Sequence, residues 1–107
     1  MENRNEIPVH SAESEISRIF DGLHISTFEN TKQLILEKFI KIYKTLPKDS
    51  KIRSPQNLIS LIIYVYSIIY EIPLEKSDLV ALSHISSTDF NDFILQLKNY
   101  LIREMGE

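Results

Sequence analysis

The chain has no cysteine among its 107 residues, and its only two glycines are Gly22 and Gly106. The lack of cysteine excludes a disulfide framework, a thiol nucleophile and a zinc site built on cysteine. Two isolated glycines exclude a glycine-rich phosphate-binding loop. The histidines lie far apart, at His10, His24 and His84, without the spacing of a metal motif such as HExxH. We therefore expect no metal and no cofactor.

The acidic side chains do not form a catalytic pattern either. Their positions in the first part of the chain are scattered over helical faces, without a partner nucleophile or base: Glu13, Glu15, Asp21 and Glu29. An enzyme needs polar side chains that converge on one pocket. We expect a protein that is not an enzyme, takes no small-molecule substrate and acts by binding.

The length is that of one domain, large enough to bury a core without covalent staples. The first ten residues lack a cationic segment followed by an apolar stretch, so they do not look like a secretory signal. We expect an intracellular protein, cytoplasmic in a prokaryote or nuclear in a eukaryote. We also expect a flexible N-terminal lead-in over residues 1–10, a helical domain over 11–103 and a C-terminal tail over 104–107.

The longest apolar segment, residues 58–70, lies in the middle of the chain. Ser54 before it suits a helix N-cap, and Pro55 suits the first helical position. Pro73 ends the helix, and the apolar residues between fall on nearly every face, which is typical of a helix surrounded by others. The segment is shorter than the roughly 20 residues that cross a bilayer. We expect a buried central helix over about residues 55–71, and no membrane contact.

Four amphipathic segments flank this central helix. Ser26 with Glu29 and Ser86 with Asp89 form capping boxes that predict the starts of the second and fifth helices. No segment alternates apolar and polar residues as a strand does, so we predict an all-α fold of five helices. The four flanking helices are predicted over about residues 11–22, 27–46, 75–83 and 87–103.

Several single residues have structural interpretations. Gly22 suits a helix end, and His24 just after it suits capping or interaction with the helix dipole. Tyr64, Tyr66 and Tyr70 recur at helical spacing, which predicts aromatic side chains in the core. His84 is predicted to be a polar residue that tolerates a turn.

Charge is unevenly distributed along the chain. Residues 1–31 have a net charge of -4, residues 32–53 of +5 and residues 54–107 of -4. The basic middle predicts a surface that binds a phosphate backbone or an acidic partner. We call its candidate binding residues the basic stretch: Lys38, Lys41, Lys44, Lys48, Lys51 and Arg53.

The basic stretch also has an interpretation without a partner. Its lysines would then form a solvated helix face, with pairs four residues apart such as Glu37 with Lys41. Arg53 would bind only the carbonyl groups at a helix end.

Short motifs along the chain resemble a known family. They are Ser14-Glu15-Ile16, Arg18-Ile19, Gly22-Leu23, Thr31, Tyr43, Arg53-Ser54, Tyr64, Ile72-Pro73, Leu79, Ser83 and Ile85-Ser86. Their order resembles one cyclin-like box of the transcription factor B family, the general initiation factors of archaea and eukaryotes. The resemblance covers about residues 11–103 and rests on helix caps and core positions.

This resemblance implies a five-helix cyclin-like box around a buried helix. It also implies a non-enzymatic protein that regulates transcription initiation by binding the TATA-binding protein (TBP), RNA polymerase or promoter DNA. In the family, the region around the Arg-Ser positions lies near promoter DNA or TBP. The basic stretch is therefore the expected contact surface.

The chain departs from the family in three ways. It has a single box and no cysteine for the family's zinc ribbon. Its central helix carries bulky residues where the family has alanine, so the helices must move apart or expose apolar surface. Ser87, Thr88 and Asp92 stand where the family's last helix has basic residues, with Asp89 beside them, and carboxylates are repelled by DNA phosphates.

Two other functions stay open. A protein-interaction adaptor on the same scaffold, without nucleic-acid binding, fits the acidic last helix and an exposed apolar groove on the central helix. A helix-turn-helix repressor fits the two helices around residues 84–86 and predicts a dimer that binds two half-sites. The acidic residues of the fifth helix speak against the repressor.

Overall fold

Five α-helices make up the computed structural model, which describes residues 7–25 and 29–105. A single 3₁₀ turn, Lys51–Arg53, connects the second helix to the third, and the described residues contain no strand. The predicted all-α, five-helix fold is confirmed. The helices are α1 (Val9–Gly22), α2 (Glu29–Thr45), α3 (Pro55–Ile69), α4 (Lys76–Ser83) and α5 (Ser87–Met105).

The outer helices are longer than predicted. Residues 9–10, expected in the lead-in, already belong to α1, because Pro8 directly precedes the helix and its carbonyl accepts the N–H of Ala12 at 3.0 Å. Residues 104–105, expected in the tail, belong to α5, which meets no proline or glycine before Gly106.

The capping predictions have different outcomes. The Ser26 cap lies outside the described residues. At the start of α5 the Ser86 hydroxyl accepts the N–H of Asp89 at 3.1 Å, which is one half of the expected capping box. At the start of α3 the Ser54 hydroxyl accepts the N–H of Asn57 at 3.3 Å, and Pro55 occupies the first helical position as predicted.

The N-terminal half of α3 forms the centre of the core. This helix contacts α1, α2, α4 and α5, and six consecutive residues from Leu58 to Ile63 are buried. Ser60 lies among them, and its hydroxyl donates to the carbonyl of Gln56 at 3.1 Å, so no buried polar group is left without a partner there. The predicted buried central helix is confirmed for this half.

The C-terminal end of α3 differs from the prediction. The helix ends at Ile69 instead of continuing to residue 71, and Ile68 and Ile69 are 62% and 60% exposed. Tyr70, expected in the core, is 53% exposed. Glu71 then turns the chain in the left-handed region (φ 53°), and the N–H of Ile72 bonds the carbonyl of Ser67 at 2.9 Å.

The first helix ends at Gly22 as predicted, and His24 after it takes part in the C-terminal cap, as also predicted. His24 adopts a left-handed backbone (φ 60°), its N–H bonds the Asp21 carbonyl at 3.1 Å, and the N–H of Ile25 bonds the Phe20 carbonyl at 2.9 Å. These two bonds form a Schellman cap. Gly22 serves packing, since a Cβ there would lie 2.8 Å from Cδ1 of Leu82 in α4.

An arginine connects α1 to the end of α4. The guanidinium of Arg18 donates to the carbonyl of Leu82 and to the carboxylate of Glu15, each at 2.8 Å. A cation at carbonyl groups of a helix C-terminus is favourable for the helix dipole. His84 follows with a left-handed backbone (φ 63°), as its predicted role in a turn requires. No helix within the described residues is long and apolar enough to cross a membrane.

Two candidate binding surfaces

The lysines of the basic stretch extend from α2 into the linker before α3. Four of them are exposed, and the fifth, Lys38, is half-buried: the exposed ones are Lys41, Lys44, Lys48 and Lys51. The salt bridges within residues 7–25 and 29–105 join Arg18 to Glu15 and Lys32 to Glu29, and none involves these five lysines. The expected pair of Glu37 with Lys41 is therefore not formed.

Arg53, the last member of the basic stretch, faces the protein. Its Nε donates to the carbonyl of Tyr43 at 3.2 Å, and its guanidinium carbon lies 3.9 Å from the centre of the Tyr43 ring. The hydrogen bond of Arg53 to a helix-end carbonyl is the contact expected in the alternative interpretation, because Tyr43 lies in the last turn of α2. A guanidinium stacked on an aromatic ring and bonded to a carbonyl holds α2 against the start of α3.

Another cation, absent from the sequence prediction, lies near the linker. Exposed Arg103 of α5 lines a shallow cleft together with Pro47 and Ser50, the linker residues beside Lys48 and Lys51. Fifty residues separate Arg103 from the linker in sequence, so no local pattern indicates that they are neighbours. The fold thus brings one further cation to the linker that carries Lys48 and Lys51.

A second surface lies between the C-terminal halves of α3 and α5. It is an apolar groove of about 530 Å³. Its lining contains one charged side chain, Lys98, among apolar and aromatic ones. We call this surface the apolar groove and define it by Tyr64, Val65, Ile68 and Ile69 of α3 and Ile94, Lys98, Leu101 and Ile102 of α5.

The rim of the apolar groove is open to solvent. Ile68 and Ile69 form it on the α3 side, and Ile102, which is 57% exposed, on the α5 side. Ile94 and Leu101 are half-buried and form the deeper part. Leu95 is exposed to a similar extent, 55%, yet does not line the groove, so it offers a matched control on the same helix.

Contacts at the start of α5 place the groove at the other end of the helix. The rings of Tyr64 and Phe90 meet edge to face with 5.8 Å between their centres. Lys76 of α4 adds a hydrogen bond of 2.6 Å to Asn91 and lies 5.5 Å from the centre of the Tyr64 ring. The Tyr64–Phe90 contact joins α3 to α5, and Lys76 joins α4 to both helices. The α5 residues that line the apolar groove follow these contacts, from Ile94 to Ile102.

Two stacked tyrosines lie beside the apolar groove. The rings of Tyr66 and Tyr70 are 5.5 Å apart and tilted by 33°. Burial raises the pKa of the Tyr66 phenol above its usual value, and the neighbouring Tyr70 raises it further. Both effects disfavour the ionised phenol of Tyr66.

The start of α5 presents acidic and neutral side chains. Ser87, Thr88, Asp89 and Asp92 are all exposed there. A helix that enters a DNA groove by its N-terminal residues would bring two carboxylates towards the phosphates. This placement speaks against base recognition by α5.

The described residues contain no cluster of three His, Asp or Glu side chains that could hold a metal ion. The three histidines are exposed, at separate places on α1, after α1 and after α4. The two surfaces offer different interactions: charge attraction at the basic stretch and burial of apolar area at the groove.

Comparison with known proteins finds no matching family model, no matching curated protein and no matching solved structure.

Proposed function

We propose that this protein is a non-enzymatic binding module that acts by protein–protein contact through the apolar groove. The observation that carries the proposal is the row of exposed isoleucines, Ile68, Ile69 and Ile102, around a recess with a single charge. A contiguous apolar recess on the surface is typical of a partner site, whereas scattered apolar residues are not.

The energetics favour a partner at this groove. Full burial of an isoleucine side chain contributes about 1.5–3 kcal/mol, and these three are each more than half exposed. Covering them recovers a substantial part of that free energy. Side chains of this kind at the centre of an interface act as anchors, surrounded by contacts that exclude water.

A pair of variants tests the proposal. Ile102→Glu places a charge on the groove rim, and Leu95→Glu makes the same change at an equally exposed position outside it. In affinity capture from nuclease-treated native lysate, we expect Ile102→Glu to recover at least about tenfold less of each specific partner. This corresponds to a loss of about 1.4 kcal/mol or more in binding free energy. Leu95→Glu should recover the partners as the unchanged protein does.

The folded state of both variants is checked by circular dichroism and thermal unfolding. Equal recovery of partners by the two variants, with both folded, would contradict a role for the groove. Loss of partners only when nuclease is added would point to the basic stretch instead.

A second candidate function keeps the resemblance to transcription factor B. In it, the protein regulates transcription initiation in the cytoplasm of a prokaryote or the nucleus of a eukaryote, through TBP, RNA polymerase or promoter DNA. The exposed lysines of the basic stretch, which form no salt bridge within the described residues, favour it. Arg103 beside the linker adds to the same surface.

Electrophoretic mobility of promoter DNA with TBP present tests this second function. We expect a supershift at low salt that weakens as salt rises, because phosphate contacts release counterions. Lys44→Glu should weaken it, while Lys98→Glu, a single charge reversal in the apolar groove, should leave it unchanged. No supershift, or equal effects of the two variants, would defeat DNA binding by the basic stretch.

A further inference from the structure

We propose that the occupant of the apolar groove is an acidic amphipathic helix of a partner protein. This inference rests on the proposed function and specifies the partner's chemistry. The helix would place apolar side chains between α3 and α5, with a carboxylate facing Lys98.

The shape of the groove selects a helix. Its walls are two helices, and the described residues offer no strand edge that an extended peptide could extend. From Ile94 to Ile102 the α5 wall rises about 12 Å, which is the length of roughly two helical turns. Grooves between helices bind amphipathic helices through anchors at positions i, i+3 or i+4, and i+7.

The charge of the groove selects an acidic helix. Lys98 lies between Ile94 and Ile102, four residues from each along α5, and has no ion-pair partner within the described residues. A purely apolar occupant would remove water from the ammonium group without replacing its interactions. A carboxylate on the occupant compensates for that loss, and a basic occupant is repelled.

The same charge disfavours a second copy of the chain. A symmetric dimer through this groove would bring the Lys98 of each copy into one interface, because the two copies use the same surface. Two like charges with reduced access to water repel each other, which disfavours such a dimer. Residues 1–6 also suit an apolar groove poorly, since they contain one apolar side chain, that of Met1.

Two synthetic peptides provide the probe. Both are amphipathic helices of two to three turns with leucine anchors, and they differ in one residue beside the anchors, which is Glu in one peptide and Lys in the other. Fluorescence anisotropy measures their affinities for the full chain. We expect the Glu peptide to bind about fivefold more tightly than the Lys peptide, as a partly covered ion pair contributes up to about 1 kcal/mol.

Charge reversal on the protein completes the test. Lys98→Glu should invert the preference of the two peptides, and Lys44→Glu, outside the groove, should not change it. Ile102→Glu should weaken both peptides at least about tenfold, while Leu95→Glu should weaken neither.

The other outcomes separate the two proposals. Equal binding of the peptides, weakened by Ile102→Glu alone, would overturn the acidic partner and keep the groove as a binding site. Binding of neither peptide, with a dimer that Ile102→Glu dissociates and Leu95→Glu does not, would assign the groove to a second copy. Binding of neither peptide by a monomeric chain would overturn the helical partner, and the capture experiment would then decide on the groove itself.

Discussion

Both halves of α3 carry isoleucines, but the surroundings of these isoleucines are opposite. Ile59, Ile62 and Ile63 are completely or almost completely buried, whereas Ile68 and Ile69, one and a half turns further on, are mostly exposed. The helix itself continues without a break from Pro55 to Ile69. The difference therefore comes from the neighbouring helices, and it divides one helix into a core element and one wall of the apolar groove.

The two ends of α3 are also held differently. At the N-terminus, the Ser54 cap and the Arg53 contacts with Tyr43 fix the helix to α2. At the C-terminus, the chain turns at Glu71 with a left-handed backbone, between exposed Tyr70 and buried Ile72. The contacts at the N-terminus hold α3 in place, and its exposed C-terminal side chains are therefore presented on a rigid helix.

Replacing one buried and one exposed isoleucine of α3 by alanine should give the largest difference in the free energy of unfolding. Ile59→Ala leaves a cavity in the core and is expected to lower the free energy of unfolding by about 2–5 kcal/mol. Ile69→Ala removes an exposed side chain and is expected to change it by less than about 0.5 kcal/mol. Chemical denaturation measures both values, and similar losses would mean that the end of α3 is packed like its beginning.

Changes of the linker cations test the firmly held end. Arg53→Ala removes a hydrogen bond and a cation–π contact, and we expect a loss of about 1–2 kcal/mol in the free energy of unfolding. Lys51→Ala, at an exposed cation two residues earlier, should cost less than about 0.5 kcal/mol. If the two losses are equal in thermal or chemical unfolding, Arg53 does not fix α2 to α3.

Glycine at the turn tests the open end. Glu71→Gly relieves a left-handed backbone that is unfavourable for a residue with a Cβ, and it should raise the free energy of unfolding by about 0.5–1 kcal/mol. Glu71→Ala keeps the Cβ and should bring no such gain. A destabilised Glu71→Gly variant would show that the glutamate side chain contributes more than its backbone strain costs.

The smallest effect concerns the tyrosine pair beside the groove. Because the folded state raises the pKa of Tyr66, the unfolded chain loses this proton first as pH increases, and stability should fall above the ordinary tyrosine pKa of about 10. Tyr66→Phe should remove this dependence, and Tyr70→Phe should lower the pKa of Tyr66 by removing one of its causes. The free energy of unfolding, measured as a function of pH, tests the first effect, and phenolate absorbance during a pH titration tests the second. Unchanged titration of Tyr66 in Tyr70→Phe would refute the coupling.

The sequence predicts the helices well because their signals are local. Ser54 and Pro55 start α3, Ser86 caps α5, and the apolar spacing identifies the buried faces. What depends on a distant element is not predicted. The first helix ends at Gly22 as expected, but no local pattern indicates that Leu82, sixty residues later, packs where a Cβ of residue 22 would lie.

The candidate surfaces were predictable in part. The basic stretch follows from composition, but the contacts that turn Arg53 inward and bring Arg103 near the linker depend on the fold. The sequence did indicate that so bulky a central helix must move its neighbours apart or expose apolar surface. Ile68 and Ile69 form that exposed surface. Which residues of α3 are exposed depends on the path of α5, which the sequence does not show.

The absence of cysteine permits the most direct measurement of the contrast within α3. The variants Ile59→Cys, Ile69→Cys and Leu95→Cys each carry a single thiol, and its rate of reaction with a soluble thiol reagent reports access. We predict that the thiols at positions 69 and 95 react at rates within about tenfold of the unfolded chain, while the thiol at position 59 reacts only through unfolding. Adding the Glu peptide should slow position 69 and leave position 95 unchanged. Protection of position 69 in the free protein, to the same degree as position 59, would contradict an open groove at the end of α3.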